Sequence, residues 1–106
     1  MQDLSLFFRA LADRKRLRIA QYLAQHEQVT VTQLGLELRL SQPLMSWHLR
    51  IMRKAGIVKT RRSGRQVLCS LNRETLQKYE GIMNQVFQLE DTTEGDTASI
   101  ELAPVR

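Results

Sequence analysis

Apolar residues recur at helical spacing along most of the chain and predict a series of short helices. The first predicted helix follows Asp3, a residue type favoured at N-caps, and is broken at Ala12. Asp13 then caps a second helix that reaches His26. The first turns of this helix carry basic side chains that oppose the helix dipole, so a phosphate contact and simple solubility both stay open as their purpose. These side chains are Arg14, Lys15, Arg16 and Arg18.

Two closely spaced helices come next, and the short turn between them is typical of a helix-turn-helix. Thr30 is predicted to cap a third helix over residues 31–39, and Ser41 to cap a fourth helix over residues 42–55. Gly56 then stands where a left-handed residue ends a helix. The fourth helix has one apolar stripe, which consists of Met45, Leu49 and Met52.

A β-hairpin and a last helix complete the predicted fold. Residues 57–61 and 66–71 are predicted to form two strands, joined by a tight turn with a glycine where positive φ is needed. Val29 is placed to add a short strand, and Asn72 caps a final helix that continues to about Leu89. The predicted class is mainly α with a small β-hairpin: a winged helix-turn-helix of about five helices and a two-stranded wing.

The composition is that of one ordinary globular domain. Of the 106 residues, 42% are hydrophobic and 25% charged, and we assign residues 1–90 to one folded domain and the polar, acidic residues 91–106 to a disordered tail. A single cysteine, Cys69, excludes an internal disulfide, and its place in an alternating strand predicts a buried thiol. No apolar run approaches the roughly 18 residues of a membrane helix, and no secretory signal is visible, so we expect a cytoplasmic protein without a membrane partner.

The charge pattern indicates a polyanionic partner. The chain carries 16 basic and 11 acidic residues, a net charge of +5. Between Glu37 and Glu74 the acidic residues are absent altogether. An acid-free window of this length favours nucleic acid, although a basic run can also be a solvated face. The basic residues of the window are Arg39, Arg50, Arg53, Lys54, Lys59, Arg61, Arg62, Arg65 and Arg73.

Two segments of the sequence resemble the ArsR/SmtB family of bacterial repressors. The string LFFRALADRKRLRIAQYL is similar to the family's opening helices, and SQPLMSWHLRIMRKAGIVKTRRSGRQVLCSLN is similar to its helix-turn-helix and wing. The resemblance covers roughly residues 4–88. It implies a homodimeric DNA-binding repressor whose fourth helix enters the major groove and whose first and last helices form the dimer interface. The last helix also carries more apolar residues than its small domain needs, which favours packing against a second copy of the chain. Packing back onto the first helix is the alternative.

The interface implied by this resemblance uses the apolar residues of the two terminal helices. They are Leu4, Phe7, Phe8, Leu11, Leu76, Tyr79, Met83, Val86 and Phe87.

The polar face of the fourth helix is the candidate for reading DNA. At about 100° per residue, Gln42, Ser46 and Arg50 point away from the apolar stripe. Gln42 and Arg50 can make bidentate contacts to adenine and guanine, respectively. Leu44 and Trp47 stay open between DNA contact and packing or surface roles, and His48 stays open between phosphate contact and a structural hydrogen bond. The candidate set on and before this helix is Ser41, Gln42, Pro43, Leu44, Ser46, Trp47, His48, Arg50 and Arg53.

The basic hairpin is expected to contact phosphate or the minor groove beside that helix. Its candidate residues are Lys59, Arg61, Arg62 and Arg65. A solvated tip is the alternative, and Arg65 has the further alternative of bonding the carbonyls of its own turn.

The familiar sensing sites of the resembled family are missing. The third-helix segment has no Cys-x-Cys motif, and residues 73–89 contain no histidine or aspartate, so neither metal site carries over. We therefore expect no metal, no cofactor and, without a nucleophile–base pair or phosphate loop, no catalysis. Three functions stay open: a metal-independent dimeric repressor that occupies its operator, a sensor with an unfamiliar metal, redox or small-ligand site, and a winged-helix module for protein assembly.

Overall fold

A computed structural model of the protein describes residues 4–89. Within this range the elements are α1 (Leu4–Leu11), α2 (Arg14–Ala24), β1 (Val29–Thr30), α3 (Val31–Leu38), α4 (Gln42–Lys54), β2 (Val58–Ser63), β3 (Gln66–Leu71) and α5 (Arg73–Val86). The predicted order of helices and hairpin is confirmed. The predicted Asp3 cap and the tail over residues 91–106 lie outside the described residues. None of the described helices combines the length and apolar character needed to cross a membrane.

Short polar side chains begin four of the described helices, as the sequence predicts. The Asp13 carboxylate accepts from two backbone N–H groups of α2 at 2.9 and 3.1 Å. The hydroxyls of Thr30 and Ser41 accept from α3 and α4 at 3.0 and 3.4 Å, and the Asn72 side chain accepts from α5 at 3.3 Å. Gly56 follows α4 with φ of +78°, the left-handed conformation expected there.

Helices α2 to α5 each end one to three residues earlier than expected, and left-handed residues other than glycine follow two of them. Helix α3 stops at Leu38 because Arg39 takes the left-handed conformation, with φ of +57°, and closes the helix as its C-cap. Helix α5 stops at Val86 rather than near Leu89, and Gln88 is left-handed with φ of +54°. Apolar spacing continues past the last helical turn in this chain, so it overestimates the length of α5.

The predicted two-stranded wing, β2 and β3, belongs to a three-stranded antiparallel sheet in the order β1-β3-β2. The hairpin strands pair from Val58 with Leu71 to Ser63 with Gln66, which leaves a two-residue loop. Gly64 enters that loop with φ of +63°, as a tight hairpin requires. The short strand expected around Val29 pairs with the far edge of β3, and it ties the start of α3 to the wing.

The core forms where α4 meets α2, α3 and the sheet. The apolar stripe of α4 is buried, and it packs in one cluster with Ile19, Leu23 and Leu34 of the neighbouring helices and Ile57 before the wing. Burial of this kind stabilises the fold by about 1.5–3 kcal/mol per large aliphatic side chain. Because the stripe faces inward, the opposite face of α4 is presented to solvent.

The terminal helices pack against each other through two aromatic rings. Phe7 of α1 and Tyr79 of α5 stack with their centroids 4.0 Å apart and their planes 19° apart. They are only 4% and 2% exposed, so both belong to the core of their own subunit. Of the residues expected at a dimer interface, these two therefore offer a partner little surface, and that interface stays a prediction.

Candidate nucleic-acid interface

The exposed face of α4 carries most of the residues predicted to read DNA. Gln42, Ser46, Arg50 and Arg53 are exposed along it, as are Ser41 and Pro43 at its start. Leu44 is half-buried, and Trp47 is 53% exposed at the edge of the face. Because the apolar stripe of α4 is buried in the core, the polar side chains lie together on the exposed side of the helix.

A groove of about 560 Å³ lies between this face of α4, the start of α3 and the wing. The basic side chains along it are Arg50, Arg53 and Arg65, and its lining contains no carboxylate. Arg53 also donates to the Thr60 hydroxyl at 3.2 Å, which holds the end of α4 against β2. Three separate segments therefore converge on one cationic groove.

Several groove residues were missed by the sequence analysis, and two of them lie at the start of α3. Thr32 and Gln33, exposed in the first turn of α3, line the groove beside Gln42 and Ser46. Neither is charged and neither lies in the basic window, so charge patterning gave no signal for them. Their position after the Thr30 N-cap, at the start of a helix-turn-helix, was the available signal.

The basic residues of the wing divide between the two faces of the sheet. Lys59 and Arg61 line a separate recess with Gln28, and Arg61 donates to the Gln28 side-chain oxygen at 3.4 Å. Side chains alternate along a strand, so Arg62 lies on the other face from Arg61. The structure thus brings Arg65 into the groove beside α4 and does not bring Lys59 or Arg61 there.

His48 lies on the buried side of α4, where it is 3% exposed. Its Nδ1 atom accepts a hydrogen bond from the Arg16 guanidinium at 3.1 Å. Burial lowers the pKa of His48, and the nearby Arg16 and Lys15 cations lower it further, whereas Asp13 opposes them. Of the two alternatives for His48, the structural hydrogen bond is present, and the buried ring offers little surface to a phosphate.

Apolar side chains remain exposed on the terminal helices and just after α5. Phe8 is 42% exposed and Phe87 58% exposed. The half-buried members of the predicted dimer set are Leu4, Leu11, Leu76 and Met83. Val86 and Leu89 are exposed as well, so the end of α5 keeps an apolar surface that the other residues of the range 4–89 do not cover.

The described residues offer little to a metal ion or an oxidant. Among residues 4–89, no three His, Cys, Asp or Glu side chains lie close enough to hold a metal together. His26, which follows α2, bonds the Tyr22 carbonyl in the last turn of that helix at 2.7 Å. Burial raises the pKa of the Cys69 thiol to about 11, although Arg53 acts in the opposite direction, so the reactive thiolate is scarce near neutral pH.

Comparison with known proteins shows which family shares this fold and sequence. Residues 13–60 match the family model described as bacterial regulatory protein, arsR family. Over 70 residues the chain is 43% identical to a transcriptional repressor SmtB homolog of Synechocystis, a match that covers 66% of this chain and 52% of that protein. It is also 30% identical to NolR from Sinorhizobium fredii, whose crystal structure it matches with a TM-score of 0.63 over 78% of this chain and 82% of that one. The chain belongs to the arsR family.

A more distant solved structure shares the arsR-type fold at 18% identity. It is the winged helix-turn-helix DNA-binding domain of a possible ArsR-family transcriptional regulator from Mycobacterium bovis, described as homodimeric. Its TM-score is 0.64, over 85% of this chain and 86% of that one. This chain spans about half the length of the Synechocystis relative, so the likeness concerns the winged helix-turn-helix core of the family.

Proposed function

We propose that the protein is a homodimeric, sequence-specific DNA-binding regulator that represses transcription by occupying its operator and is not controlled by a metal ion. The observation that carries this proposal is the groove between α4 and the wing, which has three arginines and no carboxylate in its lining. The arginines of such a surface attract the phosphates of DNA, and its lining has no carboxylate that would repel them.

The exposed face of α4 supplies the sequence reading in this proposal. A helix fits the major groove, where Arg can hold guanine and Gln can hold adenine through paired hydrogen bonds. Arg50 and Gln42 are exposed on the same face with Ser46 between them. Their side chains are the proposed base readers, and Ser46 serves a base or a phosphate.

The residues around the groove supply positioning contacts. Arg53 and Arg65 line it, and Arg62 lies on the side of the hairpin away from Lys59 and Arg61. Thr32 and Gln33 add neutral donors at the start of α3. These contacts to phosphate fix the protein on the duplex but carry no base information themselves.

In the proposed homodimer the DNA-binding face is present twice, once in each subunit. The exposed apolar residues Phe8, Val86 and Phe87 support a partner copy, and so does the homodimeric description of the Mycobacterium bovis domain. Two copies related by a two-fold axis would present two α4 helices to half-sites about one helical turn, roughly 34 Å, apart.

The alternatives have less support. A redox sensor based on Cys69 is disfavoured because its thiol is buried and its pKa is raised. A protein-assembly module leaves unexplained why the basic groove lacks carboxylates. A sensor with a small ligand at the dimer interface differs from the proposal only by that ligand.

Selection of duplexes from a random library by the purified protein tests the proposal. We expect a two-fold symmetric consensus, and a sedimentation profile of a dimer both free and bound to the selected duplex. Zinc or arsenite should change the affinity by no more than about twofold, since the usual ligand sets are missing. Failure to enrich any sequence, or a monomer that binds DNA fully, would contradict it.

A further inference from the structure

One buried guanidinium joins three parts of the fold. Arg16, 8% exposed, donates from Nε to the Ala10 carbonyl at 2.6 Å and from Nη2 to the Arg9 carbonyl at 3.5 Å. Its Nη1 lies 3.9 Å from the Asp13 carboxylate and donates to His48 Nδ1 at 3.1 Å. The end of α1, the start of α2 and the middle of α4 thus meet at one side chain.

The partner chemistry fixes the protonation of His48. A guanidinium has only donors, so Nδ1 must be an acceptor and the single ring proton of a neutral imidazole must lie on Nε2. His48 Nε2 is buried and has no hydrogen-bond partner among the described residues. A second proton would have to sit on Nδ1, which would break the Arg16 bond and place two cations in contact.

The pair lies behind the face of α4 that is proposed to read DNA. His48 is two positions from both Ser46 and Arg50, which at about 100° per residue puts them on nearly opposite sides of the helix. The Arg16 guanidinium carbon also lies 5.9 Å from the centre of the Trp47 ring, at the edge of that face. Movement at Arg16 would therefore shift or rotate the reading face.

We propose that Arg16 and neutral His48 are positioning residues that hold α4 against the α1–α2 corner, and that protonation of His48 releases α4 and weakens operator binding. This inference rests on the proposed function. The charged groups that act on His48 are Asp13 at the corner and Lys15 and Arg16 on α2. From α1, the backbone carbonyls of Arg9 and Ala10 accept hydrogen bonds from Arg16.

The electrostatic setting favours the neutral ring. Burial and the two cations hold the pKa of His48 below its usual 6.5, against the opposing effect of Asp13. A group with a lowered folded-state pKa contributes stability above its unfolded pKa and loses it as pH falls through the folded value. The positioned state is therefore complete at neutral pH and is lost in mild acid, below pH 6.5.

A pH profile of binding to the selected duplex tests the pair, with His48→Asn as the key variant. Asn places an oxygen as many bonds from the backbone as Nδ1 and cannot be protonated near these pH values. From about pH 7.5 to about pH 5, wild-type affinity should fall, by up to about tenfold per pH unit per subunit, whereas the His48→Asn affinity should stay flat. His26→Gln, which removes an exposed histidine that bonds the last turn of α2, should follow the wild type.

Nitrogen NMR of the two imidazole rings in the wild type gives a second readout that needs no variant. We expect His48 to show a proton on Nε2 only at neutral pH, and to gain its second proton over the same pH range in which duplex affinity is lost. Superimposed pH profiles of the wild type and His48→Asn, or a ring proton on Nδ1 of His48, would overturn the proposal. Wild-type binding at pH about 7.5 separates the proposed function from the role of Arg16 and His48. If the wild type does not bind the duplex at this pH, the proposed function is contradicted. If it binds and its affinity does not change with pH, only the role of Arg16 and His48 is contradicted.

Discussion

Phe7 and Phe8 are adjacent and chemically identical, yet they lie in different surroundings, so truncating each to Ala separates subunit stability from dimerisation. Phe7 stacks on Tyr79 inside the subunit, whereas Phe8 is 42% exposed. Truncating a buried phenylalanine costs about 3–5 kcal/mol. Since small domains are stable by only about 5–15 kcal/mol, Phe7→Ala should leave a marginal fold.

Phe8→Ala should act on the dimer instead. A whole phenylalanine covers about 150–250 Å², so the exposed 42% amounts to about 60–100 Å². At about 25 cal/mol per Å², covering that surface with a partner is worth at most about 1.5–2.5 kcal/mol per subunit. Two subunits lose it together, so the dimer dissociation constant should rise by at most about 100- to 5,000-fold.

Urea denaturation at low and high protein concentration, together with sedimentation, distinguishes the two effects. Phe7→Ala should lower the unfolding midpoint at every concentration, because the lost contacts are internal to the subunit. Phe8→Ala should lower it mainly at low concentration, because dimer formation stabilises by mass action. Phe7→Ala with wild-type stability, or a loss in Phe7→Ala that high protein concentration restores, would refute this placement of the two rings.

Three further predictions concern the local structure. Asp13→Ala should cost about 1–2 kcal/mol in urea denaturation at neutral pH through loss of the α2 cap, whereas Asp13→Asn should keep most of the cap; equal losses would contradict the cap. Gly56→Ala should cost more than about 1 kcal/mol, because φ is +78° and the new Cβ would lie 3.0 Å from Thr75 Cγ2, while Gly64→Asn in the open hairpin loop should cost less than half as much. Cys69 should react with an aromatic disulfide reagent only as fast as the protein opens, since burial raises its pKa to about 11; rapid native labelling would contradict this.

Local signals were sufficient to predict most of the fold. Helix caps and left-handed helix ends each depend on a few neighbouring residues, so they can be predicted from one sequence. The examples here are Asp13, Thr30, Ser41, Asn72 and Gly56. The polar face of α4 is equally local, because one helical projection defines it. These features located the helix-turn-helix and its exposed side.

Contacts between distant segments could not be predicted from the sequence in the same way. Arg16 and His48 are 32 positions apart, and the basic run on α2 gave no sign that one of its members is buried. Packing of the last helix onto the first was one of the alternatives, but the apolar spacing did not specify that Phe7 would stack on Tyr79. The division of the wing cations between faces depends on strand register, which the tight turn sets and composition does not.

In the proposed interface α4 reads the bases, whereas the wing contacts phosphate. Measuring the affinity for the selected duplex and for random duplexes over a range of salt concentrations tests this difference most directly. Gln42→Ala and Arg50→Ala should each weaken binding to the selected duplex by about 1–3 kcal/mol and hardly affect random duplex. Arg62→Ala should weaken both duplexes alike and reduce the salt slope by about one per lost contact per subunit. Arg61→Ala, on the opposite face of the hairpin, is its matched control and should change both less.

The result that supports the account is selective loss for the α4 variants and uniform loss with a shallower salt slope for Arg62→Ala. The opposite pattern, in which Arg62→Ala alone abolishes binding to the selected duplex while Gln42→Ala and Arg50→Ala weaken both duplexes equally, would show that α4 does not read the sequence.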